Sequence, residues 1–266
     1  MEEIRVATWS ELHERLFEGA WNPELGVHRS DFAFRGRWEV EDDLATSLAR
    51  LGGEAAGLER HLLRNFRKYA AGDAVPVDSE WNWLALGQHH GLPTRMLDWT
   101  YSPYVALHFA TVRRDSFDRD GAVWMVDYVR AHELAPKALR RCLEEEGANV
   151  FTTELLATVA ERVDDLGGLD GEFVVFVEPP SFDARIVNQY ALFSLMSSAD
   201  GSFDEWLAER PELGRRIVIP AELKWEVRDK LDQANVTERV LFPGLDGMTR
   251  WLTRHYAPRP QPHTTS

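Results

Sequence analysis

Apolar positions along the 266-residue chain follow two periods, one near 3.6 residues and one of two, mixed without a regular β-α-β rhythm. Thr8-Trp-Ser-Glu11 has the form of a capping box opening a first helix, with Leu12, Leu16 and Phe17 on its apolar side. Residues 31–38, DFAFRGRW, alternate as a strand with two unlike faces does. Leu58, Leu62, Phe66 and Tyr69 form one stripe of a helix whose other side, from Arg60 to Lys68, is basic. Residues 80–89 read as a helix begun by Asp78 or Ser79 and stopped at Gly91-Leu-Pro93. Further strands are expected at 95–99, 121–128, 172–177, 183–193 and 215–219. Helices are expected near 103–113, 131–145, 152–162, 203–209, 221–234 and 244–255. No glycine-rich phosphate fingerprint follows a strand, which argues against a doubly wound nucleotide fold. The pattern predicts an α+β fold with a central mixed or antiparallel sheet flanked by helices. A single domain over 1–256 is expected, with a disordered proline-rich tail, APRPQPHTTS, at 257–266.

Composition narrows the setting. Lys and Arg number 30 against 44 Asp and Glu, a net charge of −14, so the whole-protein field repels nucleic acid and anionic lipid. A protein or small molecule is therefore favoured over nucleic acid as partner, unless the basic helix or Arg113, Arg114 and Arg119 form a local groove. No apolar run approaches a membrane span, and the opening MEEIRVATWSE lacks the apolar core of a secretory signal. One cysteine, Cys142, permits no internal disulfide, and the expected location is the cytoplasm.

Candidate chemistry concentrates in residues 81–110, WNWLALGQHHGLPTRMLDWTYSPYVALHFA, which hold three tryptophans and three histidines. The helix at its start is apolar nearly all round and is expected to be buried. Beyond it, Met96 and Asp98 point one way along a strand while Arg95, Leu97 and Trp99 point the other. Arg95 and Asp98 must then find separate partners, since a buried charge without one is costly. Ser102-Pro103 is a helix start, serine as N-cap and proline first, with Val105, Ala106, Phe109 and Ala110 on the packed side and free amides suited to an anion. Asp98 reads equally as a structural carboxylate or a ligand-binding one. The tryptophans read first as core and second as a stacking platform. His89, His90 and His108 lack metal-ligand spacing, so no metal is expected, and no G-x-S-x-G elbow suggests a serine hydrolase.

Phe34-Arg35-Gly36, followed by the long stretch QHHGLPTRMLDWTYSPYVALHFA, resembles the FRG domain, a family named for that tripeptide. ARIVNQYALFSL and LFPGLDGM are similar to the family's distal elements, and the resemblance is strongest in 30–112 and 184–250. More distantly, an apolar strand ending in aromatic-Arg-Gly is similar to the first motif of arginine-type ADP-ribosyltransferases, which implies that fold and NAD as substrate or ligand. By this resemblance Arg35 grips the diphosphate, the Gly36 backbone meets the nicotinamide amide, and Thr100-Tyr101-Ser102 leading to Ala106 and Phe109-Ala110 shapes the nicotinamide pocket. The cofactor-binding residues it implies are Arg35, Gly36, His89, Arg95, Asp98, Trp99, Thr100 and Ser102. The catalytic ones are Gln189, which orients the ribose, and His90, which with His89 handles a proton. Where the transferases present a Glu, the candidate stretch 184–193 offers Gln189 and no carboxylate, leaving Glu178, Asp183 and Asp98 as candidate acids. The implied activity is cleavage of the nicotinamide–ribose bond in a toxin or phage-defence setting. The alternatives are a noncatalytic sensor of NAD, ADP-ribose or another nucleotide, and a protein-interaction module.

Overall fold

The computed structural model describes residues 1–23, 25–70 and 77–258; most of the expected tail, 259–266, lies outside them. The strands are β1 (Glu2–Arg5), β2 (Trp21–Asn22), β3 (Val27–His28), β4 (Phe32–Arg37), β5 (Leu97–Thr100), β6 (Gly121–Asp127), β7 (Phe151–Thr152), β8 (Val174–Glu178), β9 (Ala191–Met196) and β10 (Gly214–Ile219). Among the described residues, eight of them form one sheet in the order β1-β10-β6-β4-β5-β9-β8-β7, and β2 pairs with β3 apart from it. The sheet is mixed: β1 runs parallel to β10 and β7 parallel to β8, while the other neighbours are antiparallel. Helices flank it, so the α+β expectation and the mixed sheet are both observed.

The sheet has one weak seam. β4 pairs with β6 along its whole length, from Phe32↔Asp127 to Arg37↔Ala122, yet meets β5 only at Phe34↔Thr100. Beyond that bridge β4 and β5 splay apart. Register places Phe34, Thr100, Asp98 and Phe193 on one face and Arg35, Trp99 and Leu192 on the other. On the first face the core is split in two. Phe34, Val123, Met125, Ile217 and Ile219 pack with helices Trp9–Phe17, Pro103–Ala110 and Lys224–Gln233. Val175, Val177, Phe193 and Leu195 pack instead with Trp81, Trp83 and Leu84 of helix Glu80–His89. A single cluster covers the second face, running from Ala33 and Trp124 through Leu97 and Trp99 to Phe176 and Trp206.

Local signals act as the pattern requires. Thr8 Oγ1 accepts from the Glu11 amide, and Glu11 returns the bond to Ala7 N at 2.8 Å, one residue before the usual partner. Helix Glu80–His89 is capped by Ser79, and every residue from Trp81 to Gly87 is buried, as an all-round apolar helix must be.

Several expectations are corrected. Residues 183–193 are not one strand: Asp183 caps a helix, Ala184–Gln189, by accepting from the Arg185 and Ile186 amides, and Tyr190, with φ 49°, closes it before β9 starts. The single helix expected at 131–145 is two, Tyr128–Glu133 and Lys137–Glu146, because Pro136 cannot continue the first. Of the stripe expected on helix Ala55–Tyr69, Leu58, Leu62 and Phe66 are half-buried against the core, Tyr69 is exposed, and the most buried positions are Ala55, Glu59 and Leu63 beside them. Phe17 is likewise exposed. β1, β2, β3 and β7 were not expected at all, being two to four residues long and, in β1, mostly charged.

Candidate functional site

Where β4 and β5 part, a cavity of about 290 Å³ opens, bounded by β4, β5, helix Ala184–Gln189 and Phe109. The residues expected here that line it are Arg35, Gly36, His89, Asp98, Trp99, Thr100 and Gln189. Those from three distant stretches of the chain thus converge on one fork in the sheet.

Arg35 reaches across the fork. Its Nη1 donates to the Asp98 carbonyl at 2.5 Å, and the Asp98 carboxylate stands 4.0 Å away. Burial pulls this guanidinium down to about 10, against the opposing pull of Asp98. Asp98 keeps 62% of its side chain exposed and is the one carboxylate among the cavity's lining residues. Arg37 and Arg185 also line the cavity, and Arg35, Arg37 and Arg185 each keep a buried Nε with no hydrogen-bond partner among the described residues. Arg114, Arg215, Arg216 and Arg228 also have such an Nε, so the distinguishing fact is that three of these groups surround one cavity. Arg37 is paired with Asp42 at 3.0 Å, outside the lining, so Arg35 and Arg185, with one exposed carboxylate between them, are the cations left to make a site for an anion.

His89 is held at the wall. Its Nε2 lies 2.8 Å from the Asp183 carboxylate, and its carbonyl accepts from Arg185 Nη1 at 3.1 Å. Burial alone would raise the Asp183 carboxyl, but His89 and the amides of Ile186 and Arg185 outweigh it and hold it below the ordinary range. Gln189 stands at the end of its helix: its Nε2 donates to the Leu241 carbonyl at 2.9 Å, and its own carbonyl accepts from Thr100 Oγ1 at 2.7 Å.

Other expected roles are reassigned. The side on which Gly36 lacks a Cβ faces helix Pro103–Ala110, where a Cβ would fall 1.8 Å from the Ala106 carbonyl oxygen and 2.7 Å from Ala110 N. Its bareness serves strand-to-helix packing rather than the approach of a planar amide. Trp99 is core: its indole N–H donates to Ser194 Oγ at 2.7 Å, and its ring packs against Phe176 and Phe203. Arg95 is not at this cavity. Its Nε donates to Glu59 at 2.5 Å and its Nη2 to Asp164 at 2.5 Å, deep under another cavity. His90 is exposed and outside the lining, with burial and His89 pulling its imidazole down. Ser102 caps its helix, accepting from Val105 N at 3.4 Å, and does not line the cavity either. Of the candidate acids, Glu178 accepts from the Tyr101 hydroxyl at 2.9 Å outside the fork, and Asp183 is engaged with His89.

Arg37, Trp38, Arg185, Ile186 and Phe193 line the cavity without having been expected there. Arg37 was legible, since it follows Arg35 by two on the same strand and so shares its face. Arg185 was hidden by the reading of 183–193 as a strand.

Residues 30–119 match the family model of the FRG domain, so the chain carries an FRG domain there, and that span includes β4, β5 and both sides of the seam. The distal blocks around 184–250 lie outside the matched span. No curated protein and no solved structure was found to match the chain. Among the described residues no helix is long and apolar enough to cross a membrane, and no group of three or more His, Cys, Asp and Glu could hold a metal ion.

Proposed function

We propose that the fork between β4 and β5 binds NAD or a closely related nucleotide and cleaves its nicotinamide–ribose bond, in an ADP-ribosyltransferase-like manner. The observation that carries this reading is the set of three arginines, Arg35, Arg37 and Arg185, that line the cavity with a single carboxylate among them, which suits a diphosphate. A cavity of about 290 Å³ is small for a whole dinucleotide, but Arg185 also lines an adjoining depression with Phe242, Asp246 and Arg250, giving an extended ligand a second half-site.

In the proposed step the bond from ribose C1′ to the nicotinamide nitrogen breaks and its electron pair returns to the pyridinium ring. Asp98, the carboxylate in the fork, faces the positive charge that develops at C1′. An acceptor hydroxyl or water adds to C1′, and His89, oriented by Asp183, takes its proton. Gln189 contributes position rather than charge, because its amide donor is engaged with Leu241.

One observation favours a second reading, binding without turnover. Arg35 is already tied to the Asp98 carbonyl, and no Glu is among the residues lining the cavity. Incubation of the pure chain with NAD, with nicotinamide release followed by chromatography, separates the two. Release that disappears in Asp98→Asn supports the enzyme; stabilisation by NAD and ADP-ribose without release supports the sensor; neither effect rejects both.

A further inference from the structure

A second cavity, of about 340 Å³, lies away from the fork, over the buried pair Arg95–Glu59. Its walls carry five arginines against three carboxylates, and Asp78, 2.7 Å from Arg67, offsets a fourth, leaving a surplus of one positive charge on a chain whose net charge is −14. Three of the arginines, Arg60, Arg64 and Arg67, recur along one side of helix Ala55–Tyr69, and Arg162 faces them from another segment. The carboxylates are largely spent elsewhere: Glu59 and Asp164 each approach Arg95 at 2.5 Å, leaving Asp164 3.8 Å from Arg60, and Glu80 stands 3.4 Å from Arg162. Arg64 has no ionic or hydrogen-bond partner among the described residues and is exposed. Behind the arginines the wall is apolar, formed by the buried side chains Leu63, Leu84 and Val163.

We propose that this cavity is a binding site for a small organic phosphate, separate from the fork and independent of what the fork does. Guanidinium groups present paired donors matched to phosphate oxygens, and loosely paired arginines give up little when a phosphate replaces a carboxylate at 3.4–3.8 Å. The apolar wall takes the body of the ligand while Arg64 and Arg162 hold its charge. Arg95 is the floor of the site, its charge matched by Glu59 at Nε and Asp164 at Nη2.

Calorimetric titration of the full chain with ATP and with inorganic pyrophosphate at low salt tests this. Both anions are expected to bind, ATP more tightly, and Arg64→Ala with Arg162→Ala is expected to weaken both by about tenfold or more. Arg35→Ala, which weakens only the fork, is expected to leave in place the part of the binding that Arg64→Ala with Arg162→Ala removes. Absence of binding to the unaltered chain overturns the proposal, as does unchanged affinity in the double variant. Loss of binding in Arg35→Ala alone assigns the anion to the fork and also overturns it. Equal affinity for ATP and pyrophosphate overturns the role of the apolar wall. Should the double variant melt early, Arg64→Glu alone repeats the test at an exposed residue that holds nothing else in place.

Discussion

Arg35 and Arg95 are both deeply set arginines within the FRG domain, and they illustrate opposite uses of a buried charge. Arg95, with 3% of its side chain exposed, is gripped by Glu59 at 5% exposure and again by Asp164, so its charge is already matched inside the fold. Arg35, at 14%, bonds one carbonyl, keeps its Nε unpaired and looks into an open cavity. The first charge is consumed by the fold, and burial pushes even its partner Glu59 upward against the pull of Arg95. The second is buried at the cavity wall with less compensation, so burial lowers its guanidinium to about 10, the condition under which a charge gains from binding an anion.

That contrast can be broken by substitution. Glu59→Ala strands a guanidinium in the core and is expected to cost about 3–5 kcal/mol, read from urea unfolding. A loss under about 1 kcal/mol would mean Arg95 is not structurally spent. Gly36→Ala, which drives a methyl group into the Ala106 carbonyl, is expected to cost about 3 kcal/mol while leaving the guanidinium beside it intact. Thermal melts should then show a weakened fold before any specific loss of ligand. Acid sharpens the comparison through His108 and His132, whose burial pulls them down to about 3 and about 4. Between those values and the unfolded pKa near 6.5, the unfolded chain binds more protons. Stability is therefore full above about pH 6.5 and falls as pH drops, by about 1.4 kcal/mol per unit for each histidine. A flat profile from pH 7 to 5 would count against both neutral, buried rings. Arg35→Ala is expected to cost only about 1 kcal/mol of stability yet to weaken NAD at least about tenfold by calorimetry. The mildest change is Ser102→Ala, which removes a cap worth about 0.5–1 kcal/mol and is expected to leave NAD affinity alone, because Ser102 does not line the cavity.

Legibility in the sequence followed locality. Helix Glu80–His89, the Ser102-Pro103 start and β4 were readable because their caps and periods are written in adjacent residues. Apolar content misled at 183–193, where Ile186 and Val187 suggested a strand; the decisive signals were Asp183 as a cap and Tyr190 in a left-handed turn. In the site, Arg35, Asp98, His89 and Gln189 were found from a motif, but the division of labour between Arg35 and Arg95 was not. It depends on Glu59 and Asp164, which lie 36 and 69 residues from Arg95 and carry no local mark of that pairing.

The lone bridge between Phe34 and Thr100 has a mechanical meaning. With β1, β10, β6 and β4 laced on one side and β5, β9, β8 and β7 on the other, the molecule resembles a book whose spine is stitched at a single point. Whatever settles beside Arg35 spans both covers. A tight occupant would therefore act as a second stitch, and amide hydrogen exchange along β8, none of whose residues lines the cavity, should slow as well.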